Sequence, residues 1–169
     1  GCVGNLGPEK NHVYALQIVQ KMLERNSNIV LLIVGAGELE GYLRQQTLQM
    51  GIDDYVEFLG RRTDVNELLQ AMDVFLMPSI YEGFGIAALE AATSGLPIYL
   101  SNTMPKDFDF YNHCTYLSIT DDSDVWVQSI LHNGLNNERE KGSSVIRDAG
   151  FDIRKNCELL ERVYKDSLA

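Results

Sequence analysis

The sequence predicts an α/β fold, a doubly wound, Rossmann-like parallel sheet with helices on both faces, and three observations carry that expectation. Strand-like and helix-like segments alternate up to about residue 102 without a low-complexity linker or an internal repeat. Residues 29–34 are apolar without a break, the pattern of a central parallel strand buried on both faces. The apolar run Val74-Phe75-Leu76-Met77 then passes through a glycine-containing turn into a short helix, which Gly95-Leu96-Pro97 closes.

In order along the chain, Cys2-Val3-Gly4 reads as the end of a strand whose beginning is missing, and Gly7-Pro8-Glu9-Lys10-Asn11 as a turn into a helix. Val13, Leu16, Val19, Met22 and Leu23 recur at helical spacing until Asn26-Ser27-Asn28 breaks the pattern. After the 29–34 strand, Gly35-Ala36-Gly37 is read as a tight turn rather than a phosphate cradle, because the full dinucleotide spacing is absent. A helix over residues 38–50 follows, with Leu39, Tyr42 and Leu43 expected inward. Residues 55–59 form the next strand, and Asp64 with Glu67 has capping-box spacing ahead of a helix carrying Val65, Leu68, Leu69 and Met72. Ile98-Tyr99-Leu100 is a further strand with a polar exit, Ser101-Asn102-Thr103. Beyond it the pattern weakens: an aromatic loop over 104–112, an edge strand over 114–117, a helix over 125–131 and a polar stretch over 133–150. Asp152 caps a last helix whose apolar stripe, Ile153, Cys157, Leu160, Val163 and Tyr164, has no evident partner.

The 169 residues suffice for one globular domain with a substantial core. Fourteen Lys and Arg against 24 Asp and Glu give a net charge of -10, which repels nucleic acid and anionic lipid but leaves room for a local basic pocket. Cys2, Cys114 and Cys157 lack the paired spacing of a zinc site and read as reduced, mostly core thiols. His12, His113 and His132 have no metal spacing and are expected at the surface or satisfied. With no apolar run of membrane-spanning length and no signal peptide, a cytoplasmic location is expected.

The chemistry concentrates in residues 78–97. A helix that begins at the carboxyl end of a strand directs unpaired N–H groups and its positive dipole end into the preceding turn, which suits an anion. From Ile86 to Ala92 every residue except Glu90 is apolar, so the helix is expected to be buried. A buried carboxylate must then either meet a protein donor or project into a polar crevice and hold a ligand.

The stretch Pro-Ser-Ile-Tyr-Glu-Gly-Phe-Gly-Ile-Ala-Ala-Leu-Glu-Ala, with Glu82 and Glu90 separated by seven residues, resembles the donor-binding, carboxyl-terminal domain of the family 4 (group 1) retaining glycosyltransferases of GT-B fold. Val3-Gly4-Asn5-Leu6 with Glu9-Lys10-Asn11, the Val34-Gly35-Ala36-Gly37 turn, Val56-Glu57-Phe58-Leu59-Gly60 and Ala71-Met72-Asp73-Val74-Phe75 match in family order. The resemblance implies that Glu82 touches the donor sugar, that Glu90 holds the ribose hydroxyls, and that backbone around Gly83, Phe84, Gly85 and Ile86 holds the diphosphate or sugar. It implies Lys10 as the cation that neutralises the diphosphate, and Gly60 and Arg61 near the base. It implies no cofactor and no metal, the nucleotide-diphosphate sugar being a substrate.

Asn5 stands where the family usually has an arginine, so leaving-group stabilisation is either weaker or supplied by another base such as Arg61, Arg62 or Lys106. That departure also admits a non-catalytic nucleotide-sugar-binding or scaffolding module. A glycoside hydrolase is disfavoured, because Glu82 and Glu90 lie on one turn-and-helix unit instead of facing each other across a bond. The family also has an amino-terminal acceptor domain, absent from residues 1–169. The chain is therefore expected to bind donor without transferring it, to dock its last helix on that domain and to self-associate through the exposed stripe. Peripheral membrane association is left open for the full-length protein.

Overall fold

The structure, a computed structural model, describes residues 1–25, 28–108, 111–133, 139 and 142–167. Its elements are β1 (Cys2–Val3), α1 (His12–Leu23), β2 (Leu31–Val34), α2 (Glu40–Met50), β3 (Val56–Gly60), α3 (Val65–Ala71), β4 (Phe75–Met77) and α4 (Ile86–Thr93). They continue with β5 (Ile98–Ser101), β6 (Cys114–Leu117), α5 (Asp124–Asn133), α6 (Gly142–Ile146) and α7 (Ile153–Ser167). The break expected at Asn26 and Ser27, and much of the weakly patterned 133–150 stretch, lie outside the described residues.

Every ladder is parallel, with β1-β2-β3 forming one half and β4-β5-β6 the other. The halves join where Leu76 N donates to Gly1 O at 2.8 Å and the Gly1 amine donates to Val74 O at 2.7 Å. The spatial order is therefore β3-β2-β1-β4-β5-β6, the doubly wound order whose switch point lies between β1 and β4.

Alternation along the strands explains why both faces are covered. Leu31, Ile33, Leu76 and Tyr99 face a core built with α1, α2 and α5, while Val34, Phe75, Met77, Ile98 and Leu100 face one built with α3, α4 and α6. Successive side chains of a strand point to opposite faces, so an unbroken apolar run supplies both cores at once. Trp126 is fully buried in the first core, donates Nε1–H to Ser118 O at 2.8 Å, and meets Tyr14 edge-on at 5.7 Å. Its polar tip is satisfied, so burial of the ring is stabilising without an offsetting penalty.

Some sequence expectations fail locally. Tyr42 is exposed, because α2 turns only Leu43 and Thr47 fully inward. The capping box at Asp64 and Glu67 does not form: the Asp64 carboxylate takes Arg62 Nε and a terminal nitrogen at 2.8 and 2.6 Å, and the Asp64 carbonyl receives Glu67 N and Leu68 N. A bidentate guanidinium outcompetes a single backbone N–H for that carboxylate. Asp152 does cap α7, accepting from Arg154 N at 2.9 Å. None of the three cysteines forms a disulfide among the described residues, but Cys157 is exposed, whereas burial pushes the Cys2 thiol up to about 11. The α7 stripe is exposed as well, from Ile153 at 73% to Tyr164 at 62%. Among the described residues no helix is long and apolar enough to cross a membrane.

The turns after β1 and β2 press backbone against backbone. Gly35 sits at φ 140°, and a Cβ there would lie 1.8 Å from Gly4 O, so close backbone packing of the two turns requires glycine here. Gly35→Ala should lower stability by about 3 kcal/mol. Urea unfolding followed by Trp126 fluorescence checks this, and a midpoint equal to the parent's would refute the packing argument.

Candidate ligand site at the switch point

The site is assembled from the turn after β1 and the loop between β4 and α4. Lys10 closes the short helical turn Pro8–Lys10, and its side chain folds back over Gly4, where a Cβ would lie 3.3 Å from Lys10 Cε. Asn11 follows in the left-handed region at φ 52° and starts α1. From the other side, Ile80 N donates to Glu9 O at 2.8 Å, which laces the two turns together. Lys10 Nζ donates to the Glu82 carboxylate across this joint, both side chains being about four-fifths buried, at 19% and 18% exposure.

Glu82 leads into Gly83-Phe84-Gly85. Gly85 caps α4 with φ 87°, a conformation that strains any residue with a Cβ, and its own Cβ position falls 2.9 Å from Met104 Cε and 3.6 Å from Glu82 Cγ. The Gly85 carbonyl accepts from Ala88 N and Leu89 N. The N–H groups of Gly85, Ile86 and Ala87 have no acceptor among the described residues, and no side chain caps the helix. Thr103 Oγ1 donates to Ser79 O at 3.0 Å and shares a 2.7 Å bond with Ser101 Oγ, so the polar exit of β5 braces the exit of β4.

Glu90 corrects the sequence reading. α4 buries Ala88, Ala91 and Ala92 but exposes Ile86 and Glu90, so the carboxylate projects from a solvent-facing side and has no partner among the described residues. A helix this rich in alanine packs closely on one side, which leaves the other side free. Gly60 ends β3 and Arg61 follows it, two strands from β1, roughly 10 Å across the sheet. Asn5 and Arg61 are exposed with no side-chain partner among the described residues. Arg62 is committed to Asp64, and Lys106 is exposed with its ammonium 3.5 Å from the centre of the Tyr116 ring. Lys10, Glu82, Phe84 and Gly85 thus come together, with Ile86 and Glu90 on the adjoining helix face, while Gly60 and Arg61 lie at the far end of the same crevice edge. A cavity of about 440 Å³ lies at the opposite, amino-terminal ends of the strands, lined by apolar groups such as Val19, Met22, Val30 and Val74. Among the described residues no cluster of His, Cys, Asp and Glu is arranged to hold a metal ion.

The family model for group 1 glycosyl transferases matches residues 1–106. This chain belongs to that family. EpsF of Bacillus subtilis (strain 168) is 31% identical over 99% of this chain and 44% of its own length. The UDP-Gal:alpha-D-GlcNAc-diphosphoundecaprenol alpha-1,3-galactosyltransferase of Escherichia coli is 39% identical, over 97% of this chain and 44% of its own. Among solved structures, the pneumococcal O-GlcNAc transferase GtfA in complex with UDP and GlcNAc superposes with a TM-score of 0.81 at 20% identity. That superposition covers 99% of this chain and 35% of that one, and is a likeness of fold. The chain spans less than half the length of the curated relatives it matches.

In this member of the group 1 glycosyl transferases, His12 and Ser79 are the residues that sequence reasoning missed. His12 was expected at the surface or satisfied, yet it is 5% exposed and its Nδ1 has no hydrogen-bond partner among the described residues; the fully buried Ser79 Oγ is in the same position. A signal existed for His12: it precedes Leu16 by four residues and Val19 by seven, on the inward stripe of α1. Burial, reinforced by Lys10 and opposed by Glu9, lowers its pKa from 6.5 to about 4. Between those values the unfolded chain binds the proton and the folded one does not, so this contribution is complete above pH 6.5 and is lost on acidification toward pH 4. Replacing His12 by Leu should flatten that limb, by on the order of 3 kcal/mol between the two ends. Urea titrations of both proteins across the window test it, and parallel losses would show that His12 does not carry the effect.

Proposed function

We propose that this chain is the donor-binding, carboxyl-terminal half of a retaining glycosyltransferase that moves a sugar from a nucleoside diphosphate sugar to a saccharide or lipid-linked acceptor. The observation that carries this reading is the opening of α4, where unpaired backbone N–H groups meet the Lys10–Glu82 pair at the switch point of the sheet. A diphosphate suits those N–H groups and the positive end of the helix dipole. Lys10 exchanges the Glu82 carboxylate for phosphate oxygens and stabilises the charge that grows on the leaving diphosphate, without a metal. Glu82, so released, accepts hydrogen bonds from the donor sugar.

Glu90 lies one turn beyond Ile86 on the same exposed face, roughly 6 Å along the helix, and its uncommitted carboxylate accepts both hydroxyls of a ribose diol. The backbone around Gly83 and Phe84 closes over the phosphates. Gly60 and Arg61 receive the base, and Asn5 adds a neutral hydrogen bond beside Lys10. The printed name of the Escherichia coli relative, with a UDP-linked donor and a lipid-diphosphate acceptor, supports this chemistry, as does the UDP held in the GtfA complex. The relatives are more than twice as long as the stretch matched, which supports a second domain for the acceptor, docked on the exposed stripe of α7. Transfer needs both substrates in one cleft, so this chain alone binds donor and does not turn it over.

Thermal unfolding against UDP, GDP, ADP and their sugars tests the reading. A hundredfold excess over Kd of the right nucleotide raises Tm by about 5–10 °C. Glu90→Ala weakens binding about tenfold, since it removes two hydrogen bonds to a charged group. No shift with any member of the panel, or a Glu90→Ala chain that binds like the parent, would sink the donor-site assignment.

A further inference from the structure

Phe84 anchors the ligand loop inward, beyond the Glu82 pair with Lys10. Gly83 and Ile86 are exposed, and a Cβ on Gly83 would meet nothing within 4 Å, so neither restrains the backbone between them. The Phe84 ring instead sits between two others, Phe108 at 5.7 Å with a 37° tilt and Phe151 at 5.6 Å with a 41° tilt. The two walls differ in kind. Phe108 is fully buried, and its N–H donates to the Tyr116 hydroxyl at 3.2 Å. Phe151 is half-buried at the end of the Arg147–Phe151 turn, directly after Gly150 at φ 94° and before the α7 cap, Asp152. α7 is exposed along its whole described length and leaves that turn through Asp152.

We propose that Phe151 is a positioning residue for the ligand site: its ring, seated on Phe84, holds the 83–87 backbone in its binding shape and ties that shape to the base of α7. The inference rests on the donor-site reading above. Its physical content is that Gly85 is buried against Met104 while the exposed Gly83 leaves the peptide before Phe84 with little conformational restraint of its own, so ring packing helps to set where the N–H groups aim. A shift of the α7 root moves Phe151 and, with it, the ligand loop. Conversely, a ligand that fixes the loop fixes the root of α7. The two events are thus coupled through the Phe84–Phe151 contact, with reciprocal effects.

The experiment uses the chain with Cys114→Ser and a fluorophore on the exposed Cys157 of α7, Cys2 being buried. UDP is titrated, with affinity read by calorimetry and the motion of α7 by fluorescence anisotropy. In the parent, UDP changes the anisotropy. Phe151→Ala should weaken UDP binding about five- to tenfold and abolish the anisotropy change, whereas Phe151→Tyr should restore both to within about twofold. Native circular dichroism and Trp126 fluorescence establish that each variant is folded. If Phe151→Ala does not fold, Phe151→Leu, which keeps apolar bulk without a ring, should give the same losses in smaller measure. A folded variant without the ring that binds UDP within twofold of the parent, or whose label still responds to UDP, overturns the proposal. A parent chain that binds no nucleoside diphosphate overturns the proposed function itself, and the coupling with it, before any variant is compared.

Discussion

The joint between the two halves of the sheet is the constraint on which the rest depends. At its base, Gly1 bonds to the β4 strand on both its amine and its carbonyl; at its top, Ile80 N reaches Glu9 O and Lys10 reaches Glu82. Between these ties, the chain brings residues 72 apart in sequence into contact at the one place in a doubly wound sheet where the crossover direction reverses. The helices that follow β1 and β4 lie on opposite faces, so their opening turns diverge and leave a crevice between them. The Lys10–Glu82 pair therefore stands where a ligand would enter, with the exposed Gly83 beside it.

The electrostatics follow from the same joint. With a net charge of -10 the chain as a whole repels anions, and three of the cations near the crevice are already engaged: Lys10 with Glu82, Arg62 with Asp64, Lys106 over Tyr116. An incoming anion must compete with Glu82 for Lys10, and the partly buried position of that pair keeps the competition from being screened away. The groups without such commitments are the N–H groups at the start of α4, the Glu90 carboxylate, and Arg61 and Asn5 at the edges. They suit a ligand with several distinct polar parts spread along the strand ends better than a compact inorganic anion. Phe84 sits between one buried and one half-buried aromatic wall, the second at the root of α7.

Most of the architecture was legible in the sequence because it depends on short-range patterning. The 29–34 run supplies both faces of a central strand, the Gly35 turn is needed where backbone meets the Gly4 turn, and Asp152 sits one residue before the last helix. The fold class and the family follow from those patterns and from the motif around Glu82 and Glu90. What was not legible is pairing between side chains. Asp64 had the spacing of a cap but went to Arg62, and Glu90 looked buried because its helix is apolar in composition, whereas the small alanines let one side pack and leave the other exposed. The partnership of Lys10 with Glu82 carries no local signal at all, since spacing says nothing about two turns brought together by strand order. His12 lay on a readable inward stripe, but its unpaired Nδ1 follows from what surrounds it in space.

The central claim is that a nucleoside diphosphate is held by the backbone at the start of α4. Amide chemical-shift mapping of the isotope-labelled chain during a UDP titration tests it most directly. The account predicts that the largest changes fall on the amides of Gly85, Ile86 and Ala87, with Lys10 and Glu90 next and the amino-terminal ends of the strands silent. Changes centred instead on the apolar cavity beside Val19, Val30 and Val74, with the α4 amides unmoved at saturation, would contradict it.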